Sequence, residues 1–310
     1  MTENRPDFRI RHDIGQGVNL CYYLLGRAQL RLPALARPLL WVTPDSDPFA
    51  DFARRFDVAD AAGLNAVQVE PLWRRWLRAV VETCPDSAAD ALSAMPDLPA
   101  RPHVRTTFQR FGRVHLNDFL ERWTGITLEM EGRLNEALRS FDASRMLTRH
   151  EDAFGFEYRP GRAVFHYHVL RVFAAARFGM SAVLGCAYLE HPDKLAAAVA
   201  QETLHALVGQ TKVWQREEIS SLLDQLRPLL SDTYLQPVDA VEDTLCVLIS
   251  VLEHEGEGAP LERVEARIPQ PALRWLARAL YENRRLRRSQ GFVEWLAASL
   301  EQAARRRPAI

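Results

Sequence analysis

The sequence predicts a mostly helical α+β protein, with a small sheet set between two helical stretches of chain. Three observations carry this reading. Apolar residues recur at spacings of three and four over most of the chain, the mark of helices with one buried face. Between about 154 and 189 that spacing gives way to runs rich in aromatic and β-branched residues, cut by the turn formers Pro160-Gly161 and Gly179. From 192 onward the helical spacing returns. A small sheet within a mostly helical chain is an α+β arrangement.

Taken in order, residues 1–12 read as a polar arm with a short strand at Phe8–Arg11. An apolar helix follows over 17–31, carried by Val18, Leu20, Tyr23, Leu24 and Leu25. Pro33, Pro38, Pro44 and Pro48 then interrupt regular structure. A short helix is expected at 49–57 and a stronger one at 69–84, where Val69, Leu72, Trp73, Trp76, Leu77 and Val80 mark a buried face. Pro71 is tolerated there because the first turn of a helix needs no N–H from it. Prolines 85, 96, 99 and 102 make the next stretch loop-rich.

A long helix is expected from about 107 to 142, with Phe111, His115, Phe119, Trp123, Ile126, Met130, Leu134 and Leu138 along its apolar face. Two or three strands follow, the clearest at 163–173 and 181–189. Helices are then expected at 192–208, 214–230, 237–254, 270–285 and 290–306. The organisation divides into a helical N-terminal region, 1–150, and an α+β core with C-terminal helices, 151–310.

Composition narrows the function. The 310 residues suffice for a sizeable core, and 47% hydrophobic with 25% charged content is ordinary for a folded globular protein. A formal net charge of -1 gives no global field toward nucleic acid or an anionic membrane. Lys194 and Lys212 are the only lysines, a bias that fits a GC-rich genome. Cys21, Cys84, Cys186 and Cys246 form no CxxC pair, which argues against a cysteine zinc site or a disulfide scaffold. With no secretion signal and no run of about 18 apolar residues, the chain is expected to be cytoplasmic and free of the membrane.

The helix at 192–208 carries the strongest motif. Pro192 suits its first position, Asp193 adds negative charge to its first turn, and Gly209 is a natural stop. Gln201 and His205 are four apart and share a face, with Glu202 beside them. Lys194-Leu-Ala-Ala-Ala-Val-Ala-Gln-Glu-Thr-Leu-His-Ala-Leu resembles the active-site helix of the HExxH metallopeptidases, the zincins, with Gln201 where the family has its first histidine. The resemblance covers roughly residues 155–255, about a third of the chain. It implies a small sheet directly before this helix, which the expected strands supply.

The resemblance also implies a site: His205 as a zinc ligand, Glu202 as the general base that polarises the attacking water, and Gln201 as a weakened or lost ligand. Zincins of the glutamate type take a third ligand from a following helix. Glu242 lies on one, 37 residues beyond His205, with Asp239 and Asp243 as second choices. Tyr234, just upstream, would donate to an oxyanion. On this reading the chain is a zinc-dependent hydrolase acting on a peptide or protein. The replaced histidine supports an alternative, a non-catalytic relative serving as a binding or regulatory module, because an amide is a neutral and poorer metal ligand than imidazole.

Other constellations are plainer. Glu202-x-x-His205 is also a di-iron ligand pair, but a helical di-iron oxygenase needs a second such pair and none exists. His166 and His168 alternate on a strand and so share a face, as a metal-binding pair or, more simply, as the polar side of a half-buried strand. Arg284, Arg285, Arg287, Arg288 and Arg305–Arg307 read as a solvated helix face without the aromatic interleaving of a nucleic-acid surface. Glu253, His254 and Glu255 read as a polar helix end. Gly15 and Gly17 give a plain turn, and no serine or cysteine sits in a recognisable nucleophile elbow.

Overall fold

The computed structural model describes residues 8–27, 66–97, 99, 102–169, 175–230, 236–256, 258–268 and 273–306. The proline-rich stretch at 33–48, the expected helix at 49–57 and Tyr234 lie outside the described residues. The architecture is the expected one, mostly helical with a small four-stranded mixed sheet. No helix among the described residues is long and apolar enough to cross a membrane.

The chain divides into two compact units interleaved along the sequence. One holds Arg9–Phe141 and Arg162–Ala196; the other holds Met1–Phe8, Asp142–Gly161 and Ala197–Ile310. The strands thus group with the N-terminal helices, and position 150 falls inside a helix of the other unit.

The sheet-bearing unit is built from β1 (Phe8–Asp13), α1 (Gln16–Arg27), α2 (Ala66–Thr83), α3 (Ala88–Ser93), α4 (Pro102–Leu138), β2 (Gly161–His168), β3 (Ala175–Phe178) and β4 (Ser181–Gly185). The strand order is β1-β2-β4-β3. β2 runs parallel to β4, placing His166 opposite Val183, and β3 returns antiparallel to β4 at the edge. The face expected on α2 is realised: Leu72, Trp73, Trp76, Leu77 and Val80 are all buried. Both indoles keep their N–H satisfied there, Trp73 on the Cys21 carbonyl at 2.9 Å and Trp76 on the Ala91 carbonyl at 2.6 Å.

The departures from expectation have local causes. α3 forms inside a stretch read as loop because Ser87 caps it, its hydroxyl accepting the Asp90 N–H at 3.1 Å. α4 begins at Pro102, with proline at the first position, and ends at Leu138. Its expected tail, 139–142, is a turn, after which Asp142 starts a separate helix, α5 (Ala143–Phe154), its carboxylate accepting the Arg145 N–H at 2.9 Å. β4 stops at Gly185, and the apolar residues beyond it form a buried 3-10 turn, Cys186–Glu190. β2 is an interior strand buried from Ala163 to His168, so His166 and His168 do not line a polar face.

The other unit begins with α5 and continues with the Ala197–Thr211 part of α6 (Pro192–Thr211), α7 (Glu217–Leu226), α8 (Pro237–Glu255), α9 (Leu261–Arg267), α10 (Arg274–Glu282), α11 (Leu286–Gln290) and α12 (Phe292–Arg305). α8 is apolar around most of its circumference and is the buried centre, with Val241, Leu245, Leu248, Ile249 and Val251 fully enclosed. α12 packs on α7 and α10. The helix expected over 214–230 stops at Leu226 and finishes as a 3-10 turn, because Pro228 has no N–H to continue the ladder.

Candidate functional site

α6 turns Leu204, His205 and Leu207 inward, where all three are buried. Thr203 is buried too, its hydroxyl donating to the Val199 carbonyl at 2.6 Å, so the helix satisfies its own polar group. His205 meets α8. Its Nδ1 lies 2.8 Å from Glu242 Oε1, and its Nε2 lies 3.5 Å from Asp243 Oδ1. The Trp214 indole N–H donates to the other oxygen of Glu242 at 2.9 Å. Cys246, one turn beyond Glu242, is buried and acts on the same imidazole.

Burial opposes charge on His205, but Cys246, Glu242 and Glu202 outweigh it and hold the imidazole protonated well above its ordinary range. His205 and Glu242 thus stand at ion-pair distance, with both Glu242 oxygens engaged. His205 and Glu242, both expected as ligands, are brought together. Gln201 and Glu202 lie half-buried on α6. Asp239 is exposed one turn before the cluster.

Zinc requires several donor lone pairs aimed at one point from about 2.0–2.3 Å. Here Nδ1 and one carboxylate oxygen of the pair face each other, the second oxygen takes an indole N–H, and Gln201 contributes only a neutral amide. Among the described residues no group of three or more histidine, cysteine, aspartate or glutamate side chains is arranged to hold a metal ion.

A cavity of about 740 Å³ opens elsewhere in this unit, lined by Phe156, Leu252, Glu253, Arg287, Gly291 and Phe292 among others. Glu253 Oε1 is buried there without a hydrogen-bond partner. Its other oxygen is 3.2 Å from Nε2 of the fully buried His150, within ion-pair reach though not aligned for a hydrogen bond. His150 Nδ1 is 2.8 Å from the Tyr158 hydroxyl, which donates to the Thr203 carbonyl on α6 at 3.1 Å. With that hydroxyl proton directed at Thr203, Nδ1 is the donor to Tyr158. A polar chain thus runs from the cavity wall to the residue beside Glu202.

Glu253 lies in the last turn of α8, as expected of a polar helix end, but its side chain is turned inward with Oε1 enclosed. The signal was present in the spacing, since Glu242, Cys246, Ile249 and Glu253 follow one stripe of α8 at steps of three and four. A second cluster, Asp13, Cys84 and His166, had no such signal: its members lie 82 and 153 residues apart. Comparison of the chain with protein-family models, curated proteins and solved structures finds no match.

Proposed function

We propose that the unit built around α6 and α8 is a non-catalytic binding module, in which the place of a zincin-type metal site is taken by a structural ion pair. The observation that carries this reading is the closed network of His205, Glu242 and Trp214, in which both carboxylate oxygens are engaged. Gln201 in the first-ligand position supports it. Recognition is assigned to the cavity at Glu253. Aromatic walls from Phe156 and Phe292, with the carboxylates of Asp152, Glu253 and Glu294 set against Arg149 and Arg287, suit a peptide segment that presents a basic side chain. The four cysteines are all free, which supports a cytoplasmic setting.

The experiment is a metal analysis of protein purified without chelator, alongside unfolding in zinc and in chelator. The expected result is well under one zinc per chain and the same unfolding midpoint in both buffers. One equivalent of zinc that survives dialysis and is lost in both His205→Ala and Glu242→Ala would overturn the reading and restore the metal-dependent hydrolase.

A further inference from the structure

Asp13, Cys84 and His166 come from the end of β1, the residue after α2 and the middle of β2, and meet within the sheet-bearing unit. Cys84 Sγ stands 4.0 Å from His166 Nε2, and His166 Nδ1 is 2.9 Å from Asp13 Oδ2. A thiol, a base facing it and a carboxylate orienting that base from behind form the arrangement that activates a nucleophile. With Nδ1–H given to Asp13, Nε2 is left as the acceptor that faces the thiol. The separation at sulfur is that of a resting site, since such contacts shorten when substrate binds.

Burial divides the roles. His166 is 1% exposed on an interior strand, so its ring is held in place. Cys84 is half-buried and reachable, whereas Cys21, Cys186 and Cys246 are buried. Cys84 also closes α2 with φ +46°, a left-handed position where glycine is the ordinary choice. A cysteine is kept there against a steric penalty. At rest the thiol donates to the Val81 carbonyl at 3.3 Å. Burial and the charge of Asp13 hold it above its usual range, while Arg162 and Arg11 draw it down. A thiol that rests protonated needs a base during attack, and His166 is the base within reach.

One feature defines the substrate. Arg162 shares a face of β2 with His166, is exposed, and acts on Cys84 through its charge. It suits a carboxylate or phosphate on the incoming molecule. Arg11, which also acts on Cys84, is held by Asp13, its guanidinium 3.6 Å from Oδ1.

We propose that Cys84, His166 and Asp13 form an acyl-transfer site that hydrolyses an ester or thioester bearing an anionic group. His166 Nε2 takes the thiol proton as Sγ attacks the acyl carbon, and a C–S bond forms while the carbonyl π pair moves to oxygen. Collapse of that oxyanion breaks the bond to the alcohol or thiol leaving group, which receives the proton from His166. Water then attacks the Cys84 acyl thioester, His166 accepts its proton and returns it to sulfur, and the free acid leaves. The site lies in the other unit from the α6–α8 cluster and does not depend on how that cluster is read.

The test uses the full chain with p-nitrophenyl 4-carboxybenzoate as the anionic ester, whose carboxylate cannot reach its own carbonyl, and p-nitrophenyl benzoate as the neutral one, following p-nitrophenolate release and peptide mass. The expected result is a burst with 4-carboxybenzoyl on Cys84, absent in Cys84→Ala, and slower acylation by the benzoate. His166→Gln lowers the acylation rate by about 10²–10⁴-fold, the usual weight of a general base. Asp13→Asn, at the more exposed partner, lowers it by up to about 10⁴-fold and serves as the second probe should His166→Gln not fold. Arg162→Gln removes the preference for the anionic ester. No adduct on Cys84, or an adduct formed at the same rate in folded His166→Gln or Asp13→Asn, overturns the proposal.

Discussion

His168 makes the sheet-bearing unit sensitive to acid in a way that can be separated from every other titration. Its ring is stacked on Tyr22, with centroids 3.9 Å apart and planes within 14°, and it is 1% exposed. Burial lowers it from 6.5 to about 3. Because the folded value lies below the unfolded one, the unfolded chain binds the proton first. The stabilisation is complete above pH 6.5 and is lost as pH falls toward about 3. At about 1.4 kcal/mol for each tenfold in proton affinity, the full loss is about 5 kcal/mol, and about 2 kcal/mol has gone by pH 5. His168→Phe keeps the aromatic stack but cannot titrate. Urea unfolding at pH 7.5 and pH 5, followed by far-ultraviolet circular dichroism, should show the variant losing about 2 kcal/mol less than wild type between the two. The comparison rests on the difference between the two pH values, so a change in stability common to both leaves it intact. His12, lowered by burial to about 4, acts in the same direction in both proteins and cancels. Parallel losses in wild type and variant would refute the assignment.

Two further outcomes follow from packing and charge. Gly17→Ala should destabilise the sheet-bearing unit by about 1–3 kcal/mol, because the new methyl would meet Val80 Cγ1 at 2.8 Å, Pro85 Cγ at 3.0 Å and Ala91 Cβ at 3.1 Å; an unchanged urea midpoint would show that the α1–α2 contact is looser than described. In the cavity, a fluorescent arginine-containing peptide pool should be retained by wild type and released at least about 10-fold more readily by Glu253→Gln, the scale of one charge-assisted hydrogen bond. An acidic peptide pool retained equally well would argue against Glu253 as the recognition group.

The helical elements were largely legible because local spacing determines them. The Trp73/Trp76 face of α2, the continuous apolar circumference of α8 and the Pro192 start of α6 are written in consecutive residues, and each forms close to the expected limits. The shortest helices were not legible. α3 and α9 span too few turns for a period to show, and the run after Gly185 reads as strand because a buried turn and a buried strand draw on the same apolar residues.

The candidate sites divide along the same line. The resemblance to the zincins sets His205 beside Glu242 as an expectation, and the structure joins the two at 2.8 Å. It left open whether that pair would bind metal or neutralise itself, since that depends on where Trp214 and Asp243 point once the helices pack. The unmatched oxygen of Glu253 likewise exists only because tertiary packing seals it beside His150. Asp13, Cys84 and His166 lie furthest from anything a sequence period can report. Periodicity fixes which face of an element is buried, but which distant elements share that face is set by strand order and helix packing, and those brought the thiol, the imidazole and the carboxylate to one place.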